Sequence, residues 1–261
     1  GLILFFLIMP ILVIIPLSFN AGDYFTFTKE MLALDPAGYS LQWYQDFFTN
    51  PNWQGAVRNS VIISIFSTLI ATTLGTLAAL GLSQAQMPAK SAIMALLLSP
   101  MIVPLIISAA GMYFFYSRVG LQGTLIGVIL AHAALGTPFV VITVTATLVG
   151  FDRSLIRAAL GLGASPFTVL RRVIVPIILP GVVSGALFAF ITSFDEVVVV
   201  LFVGSFEQRT IPWQMFSGIR EHISPTILAV ATVLVGVSIV LLTVLELLRR
   251  RSERLRGVAS N

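Results

Sequence analysis

Residues 151–176 read FDRSLIRAALGLGASPFTVLRRVIVP, and the rest of the chain is best read outward from them. Asp152 can cap a helix, and Leu155, Ile156, Ala159 and Leu160 then recur at helical spacing. Gly161 and Gly163 are available to end that helix, while Ser165 followed by Pro166 reads as the cap and first-turn proline of another. The spacing predicts helix, sharp turn, helix. Long apolar segments lie on both sides, so the elbow is expected at a membrane face. An amphipathic connector resting on lipid headgroups would carry the same pattern.

The flanks set the class. Of 261 residues, 57% are hydrophobic and 10% charged, with 20 Gly, 13 Pro and no Cys. A soluble domain carries about 25% charge, so the composition predicts an integral membrane protein. Six apolar segments, about 2–19, 59–82, 91–117, 121–150, 174–202 and 226–248, are each long enough to cross a core of about 30 Å as helices. The expectation is an all-α polytopic membrane protein, with one transmembrane domain over 1–261. A barrel would need strands alternating apolar with polar residues, whereas Ala92–Leu98 is apolar on every side. The first segment lacks a small-residue cleavage site and contains Pro10 and Pro16. It is expected to be a retained helix, trimmed at its start.

Alternate loops divide the basic residues ten against five. Lys90, Arg153, Arg157, Arg171, Arg172 and the terminal run Arg249, Arg250, Arg251, Arg254 and Arg256 form the larger set. The positive-inside rule makes that set cytoplasmic, with both termini inside. The terminal arginines suit anionic lipid. The basic balance is therefore topological, and nucleic acid is not an expected partner.

The elbow also resembles the signature of the membrane subunits of binding-protein-dependent ABC importers, which runs Glu-Ala-Ala, three residues, Gly, nine residues, Ile-x-Leu-Pro. Ala158, Ala159 and Gly163, then Val173, Ile174, Val175 and Pro176, fall at those intervals, with Arg157 where the signature has Glu. The stretch PGVVSGALFAFITSFDEV from Pro180 to Val197, the segment Ser217–Arg220, Ser224 with Pro225, Trp43 with Tyr44, Pro100 and Pro104 extend the likeness to permease subunits of the spermidine/putrescine (polyamine) type.

The resemblance implies the type I ABC importer permease fold, with cytoplasmic coupling helices, in a bacterial inner membrane. It implies a non-catalytic subunit that pairs with a homologous permease subunit, two ATP-binding subunits inside and a substrate-binding protein outside. Arg157, Ala158, Ala159, Gly163, Ser165, Pro166 and Pro176 would couple the chain to the ATPase. ATP and its Mg would be bound by those partners, with no cofactor, metal or catalytic residue here. The chain indeed has no GxxxxGK[ST] loop. Pro176 and Pro180 are expected to interrupt the helix where the elbow enters the fifth span.

Between Val173 and Phe206 the only charged residues are Asp195 and Glu196. A span starting at Pro180 places them about 23 Å along the core, and one starting at Val175 places them at its outer edge. A carboxylate at membrane depth is tolerated toward a bundle interior or wet cavity. Asp195 and Glu196, with Thr192 and Ser193 nearby, are therefore candidates to face a cationic solute; a helix-end pair or a satisfied structural carboxylate is the other reading. The resemblance points the same way at Ser193, Asp195 and Glu196, and gives Trp43 a path-lining role beside that of an interface anchor. Against it, Leu105 follows Pro104 where polyamine permeases tend to carry an acidic residue.

His132 is expected to be neutral and hydrogen-bonded within the bundle, and His222 to lie in an outer loop. The run Tyr113–Tyr116 reads as an interface anchor. A secondary transporter driven by an ion gradient, using Asp195, Glu196 and His132 for coupling, is the alternative from a different class.

Overall fold

The computed structural model describes residues 1–84, 87–152, 154–221 and 224–255. Among them there is no strand, only an isolated bridge between Asn20 and Tyr39. His222, Arg153 and Arg256 lie outside the described residues. The helices are α1 (Leu2–Leu17), α2 (Lys29–Leu32), α3 (Gln42–Thr49), α4 (Pro51–Leu82), α5 (Lys90–Ile102), α6 (Leu105–Val119) and α7 (Leu125–Val149). They continue with α8 (Ser154–Gly161), α9 (Pro166–Val169), α10 (Val175–Phe194), α11 (Val198–Val203), α12 (Ile211–Glu221) and α13 (Thr226–Leu255). An all-helical chain satisfies its main-chain groups internally, as hydrocarbon requires.

All six apolar segments are mainly helical, the third and fifth with a break inside them. α4, α7 and the continuous stretch Pro166–Phe194 are long and apolar enough to cross a membrane, and α5 with α6 adds a fourth if that bent pair is one span. The apolar helices Leu2–Leu17 and Thr226–Val240 are shorter. Several boundaries have local causes. α4 begins eight residues before the expected Asn59 because Pro51 opens it in its first turn and the Asn50 side chain accepts the Asn52 N–H at 3.0 Å. α5 and α6 meet at 105°. Pro104 holds the preceding Val103 extended (φ −71°, ψ 132°), so the helix cannot pass through.

The chain divides into two compact units, 1–54 with 215–261, and 55–214. In the first, Thr226 donates to Asp46 Oδ2 (2.7 Å), and Ser18 and Tyr44 share a hydrogen bond (2.6 Å). Asn20 donates to the carbonyls of Tyr24 and Thr26 and so closes the loop after α1. Phe47 packs edge-on against Trp53.

In the second unit α7 is the central helix. Val128, Ile129, Ala131 and Leu135 join Ile63 of α4, Ala109 and Tyr116 of α6 and Val199, Val200 and Val203 of α11 in one apolar cluster. Val140 and Val144 join Ala71 and Ala79 of α4 and Ile178 and Ala189 of α10 in another. The helices approach closely there. A Cβ at Gly185 of α10 would meet Thr143 Oγ1 at 2.5 Å and the Val140 Cα at 2.8 Å, and one at Gly136 of α7 would meet the Ala189 Cβ at 2.9 Å. Small residues at a membrane helix contact let backbones approach, which is where packing energy comes from when lipid is as apolar as leucine.

The expected interruption at Pro176 and Pro180 takes a different form. Helix runs on from Pro166 to Phe194. Its ladder widens into one π-helical turn over Leu170–Ile174, which ends two residues before Pro176. A proline ring clashes with the carbonyl four residues earlier, here Arg172, and a widened turn relieves that clash without ending the helix.

Candidate functional site

The elbow forms as its spacing predicts. Asp152 accepts from the Ser154 N–H (2.8 Å) and hydroxyl (2.6 Å), and these bonds hold its carboxyl below the usual carboxylate range. The charged cap is thus in place at neutral pH and is lost only as acid takes the pH through that lowered value. α8 ends in a Schellman motif. The Ala164 N–H returns to the Ala159 carbonyl (3.1 Å) and the Gly163 N–H to that of Leu160 (3.0 Å), with Gly163 at φ +83°. Ser165 caps α9 by accepting the Thr168 N–H, and Pro166 follows in its first turn.

Arg157, Ala158, Gly163, Ser165, Pro166 and Pro176 are exposed and Ala159 is half-buried. Beside Gly163 stand apolar side chains with little cover. Leu162 is 89% exposed and Phe167 70%. Spacing marks the turn but not these bare side chains, whose sequence signal is Leu162 and Phe167, one on each side of the glycine–serine turn.

The residues proposed for the solute path separate. α10 ends at Phe194, and three residues intervene before α11, so the pair Asp195–Glu196 lies in a helix break. Twenty residues of α10 precede Asp195, a rise of about 30 Å. Asp195 is the C-cap of α10 and is exposed. Glu196 turns inward. It is 8% exposed, and its Oε1 accepts the Val199 N–H at 2.9 Å, in the first turn of α11. That hydrogen bond is the one a satisfied structural carboxylate makes at a helix start.

Ser193 is buried as well. Its Oγ takes a hydrogen bond from Ser67 Oγ of α4 (2.8 Å) and shares one with His132 Nδ1 of α7 (2.9 Å). Thr192 is half-buried. Trp43 belongs to the other unit, where its indole N–H donates to the Asn20 carbonyl (2.8 Å). His132 is fully buried and hydrogen-bonded, as expected. The sequence signal for Ser67 is the seam Ser60, Ser64, Ser67, recurring at helical spacing along α4.

A structured loop, also missed, follows α11. Ser205 and Gln208 form a capping box, and Asn59 Nδ2 donates to the carbonyls of Glu207 (2.7 Å) and Arg209 (3.0 Å). The Arg209 guanidinium stacks on the Phe206 ring and donates to Gln214 Oε1 (3.1 Å). Among the described residues no group of three or more His, Cys, Asp or Glu is placed to hold a metal ion.

Comparison with known proteins agrees with this architecture. A bacterial ABC transporter that imports the acidic polysaccharide alginate superposes with a TM-score of 0.73 at 14% identity, covering 94% of this chain and 92% of the other. The MetNI methionine ABC transporter superposes with a TM-score of 0.55 at 21% identity, over 78% of this chain and 95% of the other. At those identities the likeness is one of fold. In sequence, the spermidine/putrescine transport system permease protein PotC of Haemophilus influenzae is 33% identical over 95% of this chain and 93% of its own length. The putrescine transport system permease protein PotI of Escherichia coli is 28% identical over 88% and 82%. Residues 71–256, which include the elbow, the break, His132 of α7 and the buried Ser193 of α10, match the family described as binding-protein-dependent transport system inner membrane component. By that match and by its identity with PotC along nearly its whole length, the chain belongs to this family of ABC importer permeases.

Proposed function

We propose that the chain is the non-catalytic permease subunit of an ATP-driven importer for spermidine, putrescine or a related small organic cation. The observation that carries this reading is the 33% identity with PotC over 95% of the chain. The exposed carboxylate of Asp195 supports it, because an acceptor-only group suits an ammonium donor. The partners would be a homologous permease subunit, two ATP-binding subunits and an extracytoplasmic binding protein, in a bacterial inner membrane with both termini cytoplasmic. The six helical segments would act as six spans of one transmembrane domain.

In this reading the elbow from Asp152 to Arg172 seats on an ATP-binding subunit and carries its closure into α10, which is continuous with α9. The helix break then moves with α10 and opens or shuts the path beside Asp195. Family membership speaks against the ion-gradient alternative. The test is uptake of labelled spermidine and putrescine by the full importer in vesicles supplied with ATP. Asp195→Asn should lower uptake about tenfold, the share of one charge-assisted contact. Uptake that persists without ATP, or that is unchanged in Asp195→Asn, would reject the driving force or the site respectively.

A further inference from the structure

Three buried polar side chains from three helices meet two residues before the break: Ser67 of α4, His132 of α7 and Ser193 of α10 are 1%, 0% and 4% exposed. Ser67 Oγ lies within hydrogen-bond reach of both Ser193 Oγ (2.8 Å) and the Ser64 carbonyl (3.2 Å), and Ser193 Oγ shares a hydrogen bond with His132 Nδ1 (2.9 Å), so the ring is tied to Ser193 through Nδ1 whichever of the two atoms donates. The other ring nitrogen, Nε2, is buried without a hydrogen-bond partner. A buried polar nitrogen left without a partner costs stability, so plain core packing does not account for an imidazole here. An apolar side chain of similar size would fill the space at no such cost.

What the ring does accomplish is on its other edge. Ser193 stands one turn or less from the end of α10, and its hydroxyl is the point at which α10 is tied to both neighbouring helices by side-chain hydrogen bonds. Beyond it, Asp195 ends α10 and Glu196 caps α11, whose valines pack on α6 and α7. The break is thus anchored on its far side by Glu196 and by apolar packing, and on its near side by the Ser193 clasp. Asp195, the exposed residue of the break, is held between the two.

We propose that His132 is a positioning residue for transport, fixing Ser193 and through it the place at which the Asp195 carboxylate is presented. This deepens the proposed function, since it takes Asp195 to be the residue that meets the solute. It predicts that the ring matters through Nδ1 alone. Asparagine places a polar atom where Nδ1 stands and nothing where Nε2 stands, so His132→Asn keeps the clasp, while His132→Leu removes it.

The chain has no cysteine, which allows a test that needs no knowledge of the solute. Asp195→Cys is introduced into the full importer, its partners being cysteine-free versions. The rate of labelling by a membrane-impermeant maleimide is then compared in the backgrounds Ser193→Ala, His132→Leu, both together, and His132→Asn. Ser193→Ala and His132→Leu should each change the rate about fivefold, as the loss of one hydrogen bond implies. The pair should change it no further than either alone, because one interaction cannot be lost twice. His132→Asn should stay within about twofold of the parent.

Additive effects, an unchanged rate in Ser193→Ala, or an asparagine variant that behaves as leucine does would overturn the proposal. If His132→Leu does not assemble, Ser193→Ala and His132→Asn decide between them. The first removes only a hydroxyl and must still alter the rate, and the second must not. A failure of the polyamine assignment would appear in uptake and leave these labelling rates as they are.

Discussion

A carboxylate at the last residue of a helix faces the negative end of the helix dipole, and at Asp195 this costs about 0.3–1 kcal/mol. Its neighbour Glu196 stands at the start of α11, where the dipole favours negative charge and a main-chain N–H is bound. One of the pair therefore weakens its local structure and the other supports it. Glu196→Ala should destabilise the purified assembly by about 1–3 kcal/mol by freeing a buried N–H. Glu196→Gln, which still offers an oxygen to Val199, should cost much less in the same thermal unfolding assay. Both carboxylates were legible in the sequence as the only charges for more than thirty residues. Their division of labour was not, because spacing alone does not tell that the helix stops at Phe194. The surroundings of Ser193 were out of reach for a similar reason. A serine near two carboxylates reads as a solute ligand, and only the packing of α4 and α7 reveals that its hydroxyl is already engaged.

At the scale of elements, the elbow was readable because each of its signals is local. A cap, a glycine with positive φ and a first-turn proline act within four residues. The same signal was present at Asn50 and Pro51, where the apolar run alone suggested a later start for α4. Tertiary contacts are harder to foresee, and the seam between α7 and α10 is one. Gly185→Ala should lower the stability of the assembly by about 1–3 kcal/mol, because the added methyl meets the backbone of Val140 and neither helix can withdraw without opening the other contacts. Gly236→Ala in α13, with nothing within 4 Å of the added atom, should be neutral or slightly stabilising. Comparing the two melting curves separates a packing effect from an effect of glycine as such.

For the molecule as a whole, class and membrane residence followed from composition, since so few charges cannot keep so much apolar surface in water. The 105° bend between α5 and α6 is a whole-molecule feature that a hydropathy reading smooths over, because Pro104 is one residue within an unbroken apolar run. Leu162 and Phe167 bear on assembly. Side chains this exposed on a short elbow are suited to burial in a partner groove, and Leu162→Ser with Phe167→Ser should reduce recovery of the ATP-binding subunit in co-purification about tenfold or more, the loss expected when buried apolar contact is removed. Equal recovery would place the docking contact elsewhere.

The π turn at Leu170–Ile174 has a mechanical meaning of its own. Such a turn accommodates one residue more than an ordinary one, and each residue of helix advances the angle by about 100°. It therefore works as a phase setter on a shaft. Deleting Arg171 would let the shaft close into uniform helix with α10 still seated, but the crank made by α8 and α9 would then point a different way round the axis. Under the proposed coupling, that single surplus residue would set the direction in which a push on the crank turns the shaft.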